Sequence, residues 1–334
     1  MTPNDLTRYL RVLIENQLQL SLMIWGAPGI GKSSIVAEVA QAADIELIDL
    51  RLSQLAPTDL RGLPVAENGV SRWFPPEFLP NSGQGILFLD EINMAPPTMQ
   101  GVAQQLILDR KVGSYDVPEG WFIWAAGNRK QDRASVFEMP APLANRFIHL
   151  EVDCDFDSFK TWALENGVHE QILAFLSYRK NLLHKIDPTH PNWPSPRSWS
   201  NASKLHAASL NIASSVGDGP AAEFNAFVSL YDKMPDVEPI LSGKKKVPAF
   251  PKEPSMRYAL IIALLTRLTS GARALSALRY LAERAPAEWV QLFATDAIPA
   301  IRKSGKLSEL ATLMREEPVL QDFMKRFKEL MGNL

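Results

Sequence analysis

Cysteine is all but missing from this sequence. Cys154 is the only one in 334 residues. A single thiol closes no internal disulfide and builds no cysteine-rich zinc site, so it reads as a small apolar residue near a strand end. Histidine is scarce too. His149, His169, His184, His190 and His206 show no H-x-x-x-H or H-E-x-x-H spacing, so no helix face offers a paired-imidazole metal site. No G-x-S-x-G string is present, which gives a serine hydrolase no nucleophile elbow. The longest apolar run, residues 259–265, is far short of the roughly 20 residues that cross a bilayer. No basic-then-apolar segment opens the sequence, and the expectation is a cytoplasmic protein without a membrane span. A basic surplus is lacking as well: 35 Lys and Arg stand against 37 Asp and Glu, a net charge of -2. Proteins whose task is to coat nucleic acid carry a basic excess, so that task is argued against. The local run Lys244, Lys245, Lys246 reads as a solvated loop, or as a contact for a nucleic-acid phosphate backbone or an acidic partner.

What is there is an ordinary globular composition, 46% hydrophobic and 22% charged, with length enough for about two domains. Residues 5–18 place Leu6, Tyr9, Leu10 and Leu13 on one helical face, with Asn4 or Asp5 as the cap. Short apolar runs follow at 20–25, 45–50, 86–89, 121–126 and 147–152, each of buried-strand length and separated by helical or loop segments. Such alternation predicts a parallel sheet covered on both faces. After Asp153 no strand pattern follows. Residues 156–164, 170–183 and 200–210 read as helices, 184–197 as a proline-rich loop, 216–220 as a soft spot, and 239–254 as a stretch rich in proline and lysine. Residues 256–268, 272–283 and 307–331 read as amphipathic helices, the last broken near Pro318. Its face bearing Phe323, Met324, Phe327, Leu330 and Met331 is expected to pack on its own domain.

Two segments carry chemistry. The string Gly26, Ala27, Pro28, Gly29, Ile30, Gly31, Lys32, Ser33 follows a strand and opens a helix, the context that a phosphate-binding loop requires. Glycines let backbone N–H groups turn onto phosphates without a side chain in the way, and the helix presents its positive end. Lys32 supplies a charge to the β and γ phosphates, and the Ser33 hydroxyl is suited to magnesium. Downstream, the strand at 86–89 runs into Asp90 and Glu91. Carboxylates at the carboxyl end of a parallel strand emerge at the ligand crevice. Asp90 is suited to hold magnesium through water, and Glu91 to orient and polarise the attacking water. The strand at 121–126 ends at Gly127 and Asn128. Asn128 reads equally as a turn residue or as a hydrogen-bonding group for the γ-phosphate or the water.

Taken in order, GAPGIGKSS (26–34), DLRGLP (59–64), GILFLDEINMAPPTMQ (85–100), FIWAAGN (122–128), LANRF (143–147) and SPR (195–197) resemble the AAA+ ATPases and, more narrowly, the MoxR family, over residues 20–210. The resemblance implies an α/β AAA+ P-loop NTPase core with a five-stranded parallel sheet at 1–154, an α-helical lid at 155–212 and an additional helical C-terminal region at 213–334. It implies ATP and Mg2+ as cofactors, and selects ATP over GTP where the residues alone do not. Residues 26–34, Ser34 included, then cradle the nucleotide. Lys32 and Ser33 look like the Walker A pair, Asp90 and Glu91 like Walker B, and Asn128 like sensor 1. Arg146 looks like an arginine finger offered to a neighbouring subunit, with Arg133 as the second candidate, and Arg197 looks like sensor 2. Arginine suits both positions because its planar fork stays charged and matches phosphate oxygens.

A finger acting in trans implies a ring, expected as a hexamer. The resemblance further implies a chaperone-like ATPase that remodels a protein partner, one type being a von Willebrand A domain protein. The alternatives are a nucleic-acid-stimulated motor or loader and a slow nucleotide-gated scaffold. Residues 56–85 form a long insert carrying Trp73, Phe74 and Phe78. It reads either as a loop lining a central pore or as a self-packed surface loop. Residues 109–120 look like a β-hairpin inserted before sensor 1.

Overall fold

The computed structural model describes residues 1–132, 137–315 and 317–321. Arg133 and the apolar positions from Phe323 to Met331 lie outside these residues. The chain divides into two compact units, one of Met1–Ser158 with Ser195–Arg197, the other of Phe159–Pro194 with Ser198 onward.

The first unit opens on helix α1 (Pro3–Glu15), whose cap is Thr2 and not Asn4 or Asp5. The Thr2 hydroxyl accepts from the Asp5 N–H at 3.1 Å while the Asp5 carboxylate accepts from the Thr2 N–H at 3.3 Å, a reciprocal capping box that satisfies two otherwise orphaned donors. Leu6, Leu10 and Leu13 are its buried stripe. Then follow β1 (Leu22–Trp25), α2 (Lys32–Ala42), β2 (Glu46–Arg51), α3 (Pro57–Arg61), β3 (Leu63–Glu67), β4 (Val70–Phe74) and β5 (Gln84–Asp90). After them come α4 (Pro97–Asp109), β6 (Lys111–Val112), β7 (Tyr115–Asp116), β8 (Gly120–Gly127), α5 (Ala141–Ala144) and β9 (Ile148–Glu151).

Five of the strands form one sheet in the order β2-β5-β8-β1-β9, and every pairing in it is parallel. The three inner strands are covered on both faces, which is why they are unbroken apolar runs rather than alternating ones. Ile86, Leu87, Phe88 and Leu89 of β5 have no exposed surface, nor have Trp121 and Trp124 of β8. The register aligns Trp25 of β1 with Gly127 of β8, and Leu89 of β5 with Ala125 of β8. The residues that follow these positions therefore leave the sheet together at its carboxyl edge, the place where open α/β sheets bind ligands.

The insert at 56–85 is more regular than its sequence implies. It folds into α3 and an antiparallel hairpin, β3 against β4, turned by Asn68 and Gly69 at φ 51° and 77°. Two positive φ values in an Asn-Gly pair are the requirement of a tight type I′ turn. Its aromatics divide: Phe78 packs against the core, Trp73 is half-buried and Phe74 is exposed. The second hairpin, β6 with β7, forms where expected, and its Ser114 hydroxyl donates to the Trp73 carbonyl.

The second unit takes in most of α6 (Phe156–Glu165), then α7 (Glu170–Tyr178), most of α8 (Pro196–Ala207), α9 (Ala213–Val216), α10 (Asp218–Tyr231), α11 (Glu238–Leu241), α12 (Pro254–Thr266), α13 (Gly271–Arg284), α14 (Ala287–Lys303) and α15 (Leu307–Arg315). Phe175 meets Phe224 edge to face in its core and packs at a tilt against Trp199 and Phe227. Lys160 and Asp296 form a buried ion pair at 2.8 Å between α6 and α14. Three expectations are corrected. The soft spot at 216–220 is only a one-residue break at Gly217, φ 87°, between two helices. Helix α14 was not legible because Pro299 lies inside it. Pro196 opens α8, the position where its missing N–H costs nothing, so Arg197 stands in the first turn of a helix and not in a loop.

Truncating Leu87 to Ala, in the middle of the sheet, is expected to cost about 2–5 kcal/mol and to lower hydrogen-exchange protection across β5 and β8. Leu63→Ala, at a side chain 71% exposed, is expected to change protection there by less than about 0.5 kcal/mol. Equal effects of the two substitutions would contradict the burial assigned to β5.

Candidate functional site

The loop after β1 is shaped by close approach. The Gly26 N–H donates to the Gly127 carbonyl at 3.3 Å, and a Cβ on Gly26 would stand 2.7 Å from the Val152 carbonyl oxygen. Gly29 and Gly31 have φ of 81° and 98°, a region that side chains make costly. Gly31 is the N-cap of α2 and supplies no side-chain acceptor. The first amides of that helix are thus left for an anion.

Lys32 is only 9% exposed. Its ammonium donates to the Gly26 and Ala27 carbonyls at 2.8 and 3.1 Å and to Asn128 Oδ1 at 3.1 Å. All three partners are neutral. Burial therefore pushes the ammonium down to about 8, against the opposing pull of the Asp90 and Asp132 carboxylates, and the Arg197 charge adds to the depression. Beside it, the Ser33 hydroxyl donates to Asp90 Oδ2 at 2.6 Å. A hydroxyl and a carboxylate oxygen in contact are a hard-oxygen pair of the sort magnesium takes, with phosphate and water completing its shell. Among the described residues no group of three or more His, Cys, Asp or Glu side chains is placed to hold a metal, so a cation here would depend on the phosphates. The residues fit ATP and Mg2+: among the described residues the buried cation has no directly bonded anion, and two oxygen donors meet beside it.

Glu91 sits at φ 54°, ψ 33°, a left-handed conformation uncommon outside glycine. Its N–H donates to Asp90 Oδ1 at 2.9 Å, and its carboxylate accepts from the Ser53 hydroxyl at 3.1 Å. Nearby, burial and the charges of Asp90 and Glu91 raise the Asp49 carboxyl above the usual range, with Arg51 pulling the other way.

Asn128 is clamped by a residue the sequence reading quoted without a role. Asn93 Nδ2 donates to the Asn128 carbonyl at 2.7 Å, and Asn93 Oδ1 accepts from the Asn128 N–H at 3.2 Å. Gly127 is obligatory for this clamp, since a Cβ there would lie 2.5 Å from Asn93 Oδ1. Three further residues, Arg129, Asp132 and Asp153, went without a role. Arg129 bonds Asp132 at 2.9 Å and Asp153 at 2.7 Å, holding the chain just past Asn128. The only signal in the sequence was adjacency to it.

The two sequence-predicted arginines are placed differently. Arg197 is exposed, but its backbone N–H donates to the Gly29 carbonyl at 3.1 Å. Arg146 is exposed at the end of α5 and donates to the Pro142 carbonyl at 2.7 Å. Among the described residues it pairs with no carboxylate, and no hydrogen bond ties it to the Lys32, Asp90 and Asn128 group.

A parallel sheet of this strand order, a glycine loop entering α2, and strand tips bearing Asp90, Glu91 and Asn128 define a P-loop nucleotide-binding core of the AAA+ class. Residues 21–147 match the family model described as AAA domain (dynein-related subfamily). Midasin of Giardia intestinalis is 27% identical over 175 residues, which take in 49% of this chain and 4% of Midasin. Midasin of Dictyostelium discoideum is 29% identical over 160 residues, 43% of this chain and 3% of that protein. The chain thus spans a few per cent of the length of these relatives. Among solved structures, NtrX from Brucella abortus in complex with ADP is 16% identical at a TM-score of 0.40, with 94% of this chain and 67% of that one covered. A mutant RuvB from Thermotoga maritima is 15% identical at a TM-score of 0.42, with 68% and 69% covered. The family model and the Midasin matches support an AAA+ ATPase. Among the described residues no helix is long and apolar enough to cross a membrane.

The position of Lys32 sets a pH dependence. Its folded pKa lies below the ordinary 10.5, so between about pH 8 and 10.5 the folded chain binds fewer protons than the unfolded one, and the stability owed to this group rises with pH there. Nucleotide affinity runs the opposite way, because phosphates require the protonated form. ATP affinity is expected to be flat below pH 8 and to fall above it by at most about tenfold per unit. Lys32→Arg is expected to lose that slope. Calorimetric titrations from pH 7 to 9.5 check this, and an identical slope in both proteins would refute the assignment. For the clamp, Asn93→Ala is expected to lower turnover at saturating ATP by about 10²-fold with little change in ATP affinity, which steady-state kinetics would show.

Proposed function

We propose that this chain is an ATP-hydrolysing, MoxR-like AAA+ ATPase that works in an oligomeric ring, expected as a hexamer, to remodel a protein partner. The observation that carries the ATPase part is the convergence of Lys32 on Asn128 at 3.1 Å and of Ser33 on Asp90 at 2.6 Å. Lys32 and the amides of 26–34 would hold the phosphates, and Ser33 and Asp90 would hold Mg2+. Glu91 would polarise the attacking water once released from Ser53, and Asn128 would fix that water or the γ-phosphate.

The ring rests on Arg146. A guanidinium with no carboxylate partner among the described residues is free to meet a neighbour's γ-phosphate, and charge delivered there stabilises the transition state. Arg197 would act within its own subunit, since its backbone already bonds the phosphate loop through Gly29. Remodelling, the choice of a von Willebrand A domain protein as partner, and a cytoplasmic setting follow the resemblance over residues 20–210. Of these, remodelling alone also draws support from the Midasin matches.

The test is ATP turnover per subunit over a wide range of protein concentration, beside Arg146→Ala. Turnover per subunit is expected to rise with concentration, and the variant to stay lower by about 10³-fold or more at every concentration. Turnover independent of dilution, or a variant equal to the parent, would remove Arg146 from the site and leave a self-contained nucleotide switch.

A further inference from the structure

The second unit holds a cavity of about 330 Å³, a size at the lower end of small-molecule sites. One wall is α13. Ser276, Arg279, Tyr280 and Arg284 recur on it at i, i+3, i+4 and i+8, a single helical stripe. The facing wall is the turn after α11, which carries Lys244 and Lys245. That turn is anchored. Gly243 and Lys244 donate their N–H groups to the Ile240 and Pro239 carbonyls at 3.1 and 3.0 Å. Gly243, at φ 66°, lies so near α13 that a Cβ there would stand 3.2 Å from Ser276 Oγ and 3.6 Å from Arg279 Nη2.

The charges around this cavity do not balance. Among the described residues that line it, Lys244, Lys245, Arg279 and Arg284 face Glu283 and Glu317, four positive charges against two negative. The one ion pair described among them, Arg279 with Glu317, is long at 3.7 Å. Arg284 lies 6.0 Å over the Tyr280 ring. Tyr280 itself is 4% exposed, and its hydroxyl has no hydrogen-bond partner among the described residues. Burial raises that phenol to about 12, so it remains a donor at neutral pH. Buried polar groups are ordinarily satisfied, and an unsatisfied one calls for an explanation.

We propose that this cavity binds a small molecule bearing a phosphate group, of the size of a sugar phosphate or nucleoside phosphate. A phosphate monoester carries about -1.5 to -2 at pH 7 and three strong acceptor oxygens. It offsets the surplus of two positive charges, gives two guanidinium forks their matching geometry, and offers the Tyr280 hydroxyl an acceptor. A single carboxylate brings half the charge and fewer acceptor sites.

The test uses the whole chain carrying Lys32→Ala, which silences the phosphate loop of the first unit, so the outcome is independent of the nucleotide-site reading. Inorganic pyrophosphate and ribose 5-phosphate are titrated calorimetrically. One saturable site is expected for at least one of these probes. Lys245→Glu and Arg284→Glu, both at exposed positions, are each expected to weaken it at least tenfold. Tyr280→Phe is expected to weaken it severalfold without loss of thermal stability. Absence of saturable binding of both probes, or affinity unchanged by Lys245→Glu and Arg284→Glu, overturns the proposal. So does displacement of pyrophosphate by single-stranded oligonucleotides with affinity climbing with their length, which would mark an extended nucleic-acid surface.

Discussion

A positive charge buried among neutral oxygens governs the nucleotide site. Among the described residues Lys32 makes three hydrogen bonds, to two backbone carbonyls and an amide, and none to an anion. Carbonyl dipoles compensate a desolvated ammonium only in part, which is why its proton is held less tightly than that of an exposed lysine. The deficit amounts to a standing preference for a phosphate. Asp90 does not remove it, because its Oδ2 is engaged by Ser33 and its Oδ1 by the Glu91 amide. A direct Lys32–Asp90 ion pair would have been more stable without ligand and weaker as a phosphate trap.

The rest of the first unit supports that arrangement by bringing strand tips into register. Asp90 ends one of three neighbouring parallel strands, and Gly26 and Asn128 follow the other two, so their spacing is fixed by a sheet whose inner strands are largely buried. The one place where the sheet alone does not suffice is the tip of β8, where backbone must continue as a precise hydrogen-bonding group. There Asn93 grips the Asn128 peptide on both its N–H and its carbonyl, and Gly127 keeps the space clear. Arg129 with Asp132 and Asp153 holds the chain on the far side. Side chains that carry no proton and touch no phosphate thereby decide where Asn128 points.

Much of this was legible in the sequence because inner parallel strands are apolar without interruption and end abruptly in polar residues. Residues 86–89 before Asp90 and 121–126 before Asn128 could be read as strands for that reason. What stayed hidden depends on contacts between distant segments. Asn93 in the string DEIN has no local pattern to separate it from any turn asparagine, and its function exists only once β8 lies alongside. The hairpin of β3 and β4 was missed although Asn68-Gly69 is a strong turn signal, because its strands expose Leu63, Val65, Val70 and Phe74 and so lack the alternation that marks a half-buried sheet. Helix α14 was hidden by Pro299, whose cost in an interior turn is outweighed by burial of Trp289, Val290, Phe293, Ala297 and Ile301.

In the role proposed for it, Glu91 would separate an ATPase from a passive nucleotide binder. Holding a non-glycine residue at φ 54° costs on the order of 1 kcal/mol, as it does at Gln17, Asp44, Asn68, Arg110 and Ser209 of this chain. The conformation turns the backbone so that the Glu91 N–H caps Asp90 while its side chain leaves in another direction, toward Ser53 after β2. Two adjacent carboxylates that would otherwise repel are thus separated, one beside Ser33 at the phosphate loop and one held by a single neutral hydroxyl. A hydroxyl hydrogen bond of 3.1 Å is a weak tether for a carboxylate, because a strong bond of this charge-assisted kind is only about 2.5–2.7 Å long. The strained backbone fixes where Glu91 begins, and the weak tether leaves its carboxylate able to move, which is what the proposed role of meeting a water molecule only when nucleotide is present would require.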